Sequence, residues 1–266
     1  MRKTMMLAAV ATVAAVLVSC HSHYEVTDIQ RTRVLVDKRY DAAPDPQVAE
    51  FMQPFKHQVD SVMSPIVGRA AIDMAAKKPE STLSNLLCDI LVWGGKNYNE
   101  SPDFSVYNMG GIRAALSAGN VTYGDVLEVA PFENKICFLT LTGTKVMELF
   151  SQIAAVGGEG VSKGVQLVIT TDRKLVSARI NGEPVDPDRK YRIATLDYLA
   201  QGNDGMEAFK AKTDVVSPQE DSNNVRFIIM DYFREQAAQG NAVSAKVEGR
   251  IVRNDPGQAE AGSLTR

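Results

Sequence analysis

Three short stretches carry glycine, amide, aromatic and acidic residues where a core segment would carry aliphatic ones. The first is N-M-G-G-I-R, residues 108–113. Glycines permit positive φ and close backbone approach, so the N–H groups around Gly110 and Gly111 could converge on one anion. Arg113 would add a planar, permanently charged fork suited to phosphate or carboxylate. Without that role, the stretch is a strand-to-helix turn followed by a surface arginine. The second is V-A-P-F-E-N-K, residues 129–135, in which Pro131 fixes the backbone before Phe132. An exposed ring there, with the Asn134 amide two residues on, could stack on a flat heterocycle and hydrogen-bond to its edge. The plain alternative is an aromatic core plug. The third is L-D-Y-L-A-Q-G-N-D-G-M, residues 196–206. Tyr198 offers a second ring, and Asp204, between Gly202 and Gly205, could accept from sugar hydroxyls or simply cap the helix that follows.

The elements that must hold these stretches are readable from periodicity. Phe104–Tyr107 is a strand feeding the first stretch, and Tyr191–Thr195 feeds the third. Ser81 or Ser84 caps a helix whose Leu86, Leu87, Ile90, Leu91 and Trp93 form an apolar face, ended by Gly94-Gly95. Pro46 opens an earlier helix, with Val48, Phe51, Met52, Phe55, Val59 and Val62 at helical spacing, ending by Pro65 before a strand over 66–72. Further on come a strand over 136–141, a helix over 144–156, three strands between 166 and 195 with Asn181-Gly182 as a hairpin turn, and a helix over 223–238. Tyr24–Arg39 alternates in part and reads as a strand, and Val243–Val252 reads as a closing strand. Helices mixed with hairpin-linked strands indicate an α+β fold rather than a regular βαβ series.

The chain opens with a short basic start, an apolar run and L-V-S-C at 17–20, which is the pattern of an exported bacterial lipoprotein with Cys20 as its lipidated first residue. This gives a signal peptide over 1–19, a lipidated tether and N-terminal strand region over 20–45, one domain over 46–252 and a loose tail over 253–266. His21, where an aspartate would favour inner-membrane retention, points to the outer membrane, facing the periplasm or the cell surface. Removing residues 1–19 takes away Arg2 and Lys3 and no acid, leaving 27 basic against 32 acidic side chains, a net of −5. With no basic stripe, nucleic acid is not a partner. At 23% charged and 45% hydrophobic residues the chain is globular rather than disordered. Cys88 and Cys137 sit in apolar runs and pack as small hydrophobes, although a disulfide between them stays open in an exported protein.

Taken in order, N-M-G-G-I-R, G-N-V-T-Y-G-D-V (119–126), P-F-E-N (131–134) and T-L-D-Y-L-A-Q-G-N-D-G (195–205) resemble the C-terminal domain of bacterial and animal 5′-nucleotidases. That family includes UDP-sugar hydrolases and 2′,3′-cyclic nucleotide phosphodiesterases. S-N-L-L-C-D-I-L (84–91) and V-E-G-R-I (247–251) extend the resemblance over roughly residues 60–252. It implies a single domain layered α/β/β/α with mixed sheets, whose work is substrate recognition. Phe132 and Tyr198 would sandwich a nucleobase, Asn108 would bind the base edge or position its loop, Arg113 would meet the phosphate and Asp204 the ribose hydroxyls. Gly110, Gly111 and Asn134 complete the substrate-binding set. The sequence departs from the pattern in three places. Met109 stands where a third glycine is common, Tyr198 stands for a phenylalanine, and A-A-K-K-P-E-S-T (75–82) offers only Lys77 or Lys78 in place of a further phosphate-binding arginine.

In the family, hydrolysis belongs to a separate metallophosphatase domain with two metal ions held by aspartates, histidines and an asparagine. This sequence has three histidines, His21, His23 and His57, and no D-x-H or G-N-H-[DE] segment. It also lacks a G-x-S-x-G nucleophile turn. No catalytic or metal-binding residue is therefore expected here, and no cofactor. The expected partners are a nucleotide or nucleoside and a separate exported metallophosphatase carrying divalent ions, with the membrane engaged through the N-terminal lipid. The alternative is a stand-alone nucleotide- or nucleoside-binding lipoprotein for scavenging.

Overall fold

The computed structural model describes residues 25–33, 35, 38 and 45–254. The signal segment, Cys20, His21, His23 and tail residues 255–266 lie outside them. The chain divides into two units, 1–52 and 53–266. In the first, residues 25–33 and 35 are exposed and form no strand, against the expectation from their alternation. A period-two pattern becomes a strand only where a second edge takes its N–H and C=O groups. Asp45 accepts from the Gln47 and Val48 N–H groups at 2.9 and 3.3 Å, and Pro46 then opens helix α1 (Pro46–Met63). Its apolar residues, Phe51, Phe55 and Val59 among them, are exposed.

The second unit continues through β1 (Ile66–Ala70), α2 (Thr82–Gly94), β2 (Phe104–Tyr107), β3 (Gly119–Thr122), α3 (Tyr123–Val129) and β4 (Ile136–Thr142). Next come α4 (Gly143–Ala155), β5 (Gly160–Val161), β6 (Val165–Ile169), β7 (Leu175–Ile180), β8 (Glu183–Pro184) and β9 (Lys190–Leu196). The last elements are α5 (Asp197–Ala200), β10 (Thr213–Val216), α6 (Val225–Ala238) and β11 (Ile251–Arg253). Local chemistry explains several boundaries. Ser81 and Ser84 form a reciprocal capping box at the start of α2, and Thr122 with Asp125 does the same for α3. Asn181 and Gly182, both at positive φ, make the two-residue turn between β7 and β8.

The strands form a five-stranded mixed sheet in the order β10-β4-β9-β2-β5, a four-stranded mixed sheet in the order β11-β6-β7-β8, and a β1-β3 pair. Strands β2, β4 and β9 are almost wholly buried, because α2 packs on β2 and β5 while α4 packs on β4 and β9 and reaches β7. That is why they read as continuous apolar runs. Phe104 of β2 meets Phe150 of α4 at 5.3 Å between ring centroids. Buried hydroxyls inside this core are paired: Ser105 donates to the Cys88 carbonyl at 2.7 Å and Thr195 to the Val106 carbonyl at 2.9 Å. Cys88 and Cys137 are both buried free thiols, and burial pushes each upward from its ordinary pKa.

The expected closing strand over 243–252 is shorter. Only Ile251–Arg253 pairs with β6, and Val243 makes a single bridge to Ala70. Gly249 sits at positive φ, and side chains take up the backbone groups between: Asn85 donates to the Lys246 carbonyl and Glu80 accepts from the Glu248 N–H, each at 2.8 Å. Local side-chain partners thus replace a ladder.

Candidate functional site

Sheet topology brings the three motif stretches together. β2 runs parallel to β9, with Phe104 opposite Ile193, so residues 108–113 and 197–206 both leave the carboxyl end of their strands on one side. β4 runs antiparallel to β9, with Ile136 opposite Leu196, so the 130–135 loop that enters β4 lies at that same end. Segments nearly a hundred residues apart therefore meet. They enclose an open cavity of about 270 Å³ lined by Asn108, Gly110, Gly111, Phe132, Asn134, Tyr198 and Asp204. Every expected substrate-binding residue except Arg113 is in this lining.

The first stretch does not act as expected. Residues 109–111 form a single 3₁₀ turn, and neither Gly110 nor Gly111 has positive φ. Their neighbours' N–H groups are also spent internally. Gly111 donates to the Asn108 carbonyl at 3.0 Å, Ile112 to the Met109 carbonyl at 3.1 Å and Arg113 to the Val129 carbonyl at 3.0 Å. The Met109 N–H donates to the buried Glu159 carboxylate. A cradle of converging donors for an anion is not built here. Gly111 is required for another reason: a Cβ there would lie 2.8 Å from Asn108 Oδ1. Arg113 is exposed, and its Nη1 donates to the Gly110 carbonyl at 3.2 Å.

The two rings are presented rather than plugged into the core. Phe132 is 50% exposed and Tyr198 is 38% exposed, so the core-plug reading of Phe132 is set aside. Three side chains not expected to bind substrate set their positions. Asp197 Oδ1 accepts from both the Lys135 N–H at 3.1 Å and the Tyr198 N–H at 2.8 Å, joining the two ring-bearing segments. Buried Arg226 donates to the Pro131 carbonyl at 2.9 Å and holds the other side of the Phe132 loop. Glu159 ties down the first stretch through Met109. It is paired with Lys78 at 2.6 Å, and Lys78 also donates to the Val156 carbonyl at 3.0 Å. Lys78 is thus committed to this clamp.

Asp204 does not cap a helix. Held at positive φ beside Gly202 and Gly205, it accepts from the Tyr198 hydroxyl at 2.8 Å and from Asn108 Nδ2 at 2.6 Å. This bond to Asp204 is the main cause that pushes the Tyr198 phenol above its ordinary pKa, and it anchors the ring. Asn108 is 5% exposed. Its Oδ1 is the one buried side-chain nitrogen or oxygen without a hydrogen-bond partner among the described residues. Such an atom costs about 1–3 kcal/mol unless something donates to it. Glu159 and Arg226 lie outside the motifs, and Asp197 lies inside the third but was given no role there. Only the position of Asp197 immediately before Tyr198 hinted at a role. Among the described residues, no three His, Cys, Asp or Glu side chains are grouped to hold a metal ion, and no helix is long and apolar enough to cross a membrane.

Comparison with known proteins agrees with this arrangement. Residues 64–211 match the model of the 5′-nucleotidase C-terminal domain. Over 218 residues the chain is 28% identical to protein UshA of Yersinia enterocolitica, a match covering 79% of this chain and 38% of that protein. It is 27% identical to the trifunctional nucleotide phosphoesterase protein YfkN of Bacillus subtilis, over 78% of this chain and 15% of that one. The solved structure of a 5′-nucleotidase precursor from Thermus thermophilus is similar at a TM-score of 0.67 and 26% identity, covering 81% of this chain and 45% of that one. The chain spans less than half the length of each of these relatives. With more than half of its residues matched, together with the shared fold, the chain belongs to the 5′-nucleotidase C-terminal domain family.

Proposed function

We propose that this chain is the nucleotide- or nucleoside-recognition part of a split, exported 5′-nucleotidase acting in nucleotide catabolism. Hydrolysis of the phosphate ester takes place on a separate metallophosphatase chain that supplies the divalent ions and the activated water. The observation that carries this reading is the meeting of Phe132, Tyr198, Asn108, Asn134 and Asp204 around one open cavity. Two exposed ring faces suit a flat base, each stack contributing about 1–3 kcal/mol whatever the base. Asp204 and the two amides supply polar groups for a sugar and a base edge. The absence of D-x-H and G-N-H-[DE] segments from the sequence supports placing the metal chemistry on a partner. So do the Bacillus and Thermus relatives, which are named for nucleotide chemistry and lie mostly outside the matched region. L-V-S-C at 17–20 supports a lipid anchor at Cys20, with the outer membrane favoured by His21.

The test is reconstitution. The purified mature chain is mixed with exported metallophosphatases of the same cell, and phosphate release from AMP is followed. Release above the sum of the separate components is expected; no increase with any of them would contradict the split enzyme. The lipoprotein signature also suits a second reading, a stand-alone scavenging protein. Micromolar ligand binding without any partner-dependent hydrolysis would favour it.

A further inference from the structure

We infer that Lys78, which is not part of the cavity lining, is a positioning residue for two of the loops that build the cavity. In the sequence it stood as a substitute for a phosphate-binding arginine, but its ammonium is spent within the fold. Lys78 lies in the segment before α2 and makes two bonds, to the Glu159 carboxylate at 2.6 Å and to the Val156 carbonyl at 3.0 Å. Val156 caps the carboxyl end of α4, so the ammonium meets the negative end of a helix as well as an acid. The approach of the two segments is built into the backbone. Gly158, between the two partners of Lys78, is at positive φ, and a Cβ there would lie 2.6 Å from Cα of Pro79, the residue after Lys78.

Each partner of Lys78 leads to a different loop. Glu159 is buried, and while its Oε1 meets Lys78, its Oε2 accepts from the N–H of Met109, the residue after Asn108. Val156 Cγ1 stands 4.0 Å from where a Cβ would lie on Gly205, the residue after Asp204. Further back on α4, Gln152 Oε1 accepts from the Ala208 N–H at 3.0 Å, so the end of this helix backs the third stretch at two points. Asn108 Nδ2 in turn donates to Asp204 at 2.6 Å, and that contact depends on both loops keeping their places. Without the ammonium, the Glu159 charge is buried with too little to offset it. It is relieved by letting go of Met109, and the end of α4 loses its cation at the same time.

The test is calorimetric titration with adenosine, alongside amide magnetic resonance spectra, of the purified chain and its variants. The affinity readout rests on the stacking reading above; the spectra do not. Circular dichroism selects conditions in which each variant is folded, so that a change reports the loops rather than global unfolding. Lys78→Met keeps the reach of the side chain and removes its charge. It is expected to weaken adenosine binding about tenfold and to move the Met109 and Asn108 amide signals, while those of Gln166 and Arg179 on the four-stranded sheet stay in place. Lys78→Arg should recover most of the loss. So should Lys78→Met combined with Glu159→Gln, whose uncharged amide oxygen still accepts from the Met109 N–H. Lys78→Met binding as the parent does, or a loss that neither companion variant restores, would overturn the inference. If the parent itself fails to bind adenosine at millimolar concentration, the stacking reading falls; a Met109 signal moved by Lys78→Met then still supports the role of Lys78, and an unmoved one overturns it.

Discussion

Two concavities of the second unit differ in an instructive way. The larger, about 590 Å³, lies along the four-stranded sheet and is lined by Lys163, Gln166, Asn181, Glu248 and Arg250 among others. It holds the buried Arg250 guanidinium, which by type would be a ready anion site. All of its capacity is spent: it grips both oxygens of Asp89 at 2.8 and 2.7 Å, reaches Glu248 at 2.9 Å and donates to the Val161 carbonyl at 3.0 Å. The smaller cavity is framed by two exposed rings and an unpaired buried amide oxygen. Size alone would choose the first; unspent binding capacity chooses the second. The Arg250 network closes the fold, bonding α2 and β5 to the chain just before β11, and leaves nothing over for a ligand.

The comparison can be broken by exchanging these roles through mutation. The largest effect is expected from Phe132→Ala combined with Tyr198→Ala. Two lost stacks weaken adenosine binding about thirtyfold or more by calorimetry. Because both rings are half-exposed and lie outside the core, stability should fall by no more than about 1–2 kcal/mol. Arg250→Ala should do the reverse. Denaturant unfolding is expected to show a loss of about 2–3 kcal/mol, since the buried guanidinium that ties Asp89, Glu248 and the Val161 carbonyl together is removed, while adenosine affinity of the folded fraction is unchanged. If Arg250→Ala abolished binding without loss of stability, the assignment of the two cavities would be inverted.

Two smaller substitutions sharpen the picture within the ring-lined cavity. Asp197→Ala frees the N–H groups of Lys135 and Tyr198 and should weaken adenosine binding about tenfold by letting the ring-bearing segments separate. Asp197→Asn retains an acceptor for both and should recover most of that loss, a rescue that a purely electrostatic role would not show. The smallest effect is expected from Tyr198→Phe. It keeps the ring and removes only the hydroxyl bond to Asp204, worth about 1 kcal/mol, so a fewfold loss in affinity is anticipated.

Much of this arrangement was readable before the structure, for physical reasons. Helix starts at Pro46 and Ser81, the Asn181-Gly182 turn and the buried strands β2, β4 and β9 depend on local chemistry that the residue order displays directly. The eight candidate site residues were picked out because glycine, amide and aromatic residues cluster in three loops, and all but Arg113 line one cavity. The readings that failed depended on partners distant in sequence. Residues 25–33 alternate as a strand does but lack its burial, and 243–250 gave its backbone groups to Glu80 and Asn85. The glycine turn suggested an anion cradle, yet the N–H groups of Met109, Gly111, Ile112 and Arg113 were claimed by Glu159, Val129 and the turn's own carbonyls. Glu159, Asp197 and Arg226 were missed because a positioning residue is defined by what it touches, and a lone acid or arginine in a sequence does not show that.

The most direct test of the central assignment is nuclear magnetic resonance of the isotopically labelled chain titrated with adenosine. Saturable shifts are expected in residues 108–111, 131–135 and 197–205, with the Phe132 and Tyr198 ring signals moved most and the base protons of adenosine shifted upfield by the rings on either side. Shifts confined to the groove around Lys163 and Arg250, or no saturable shift at any concentration, would contradict it.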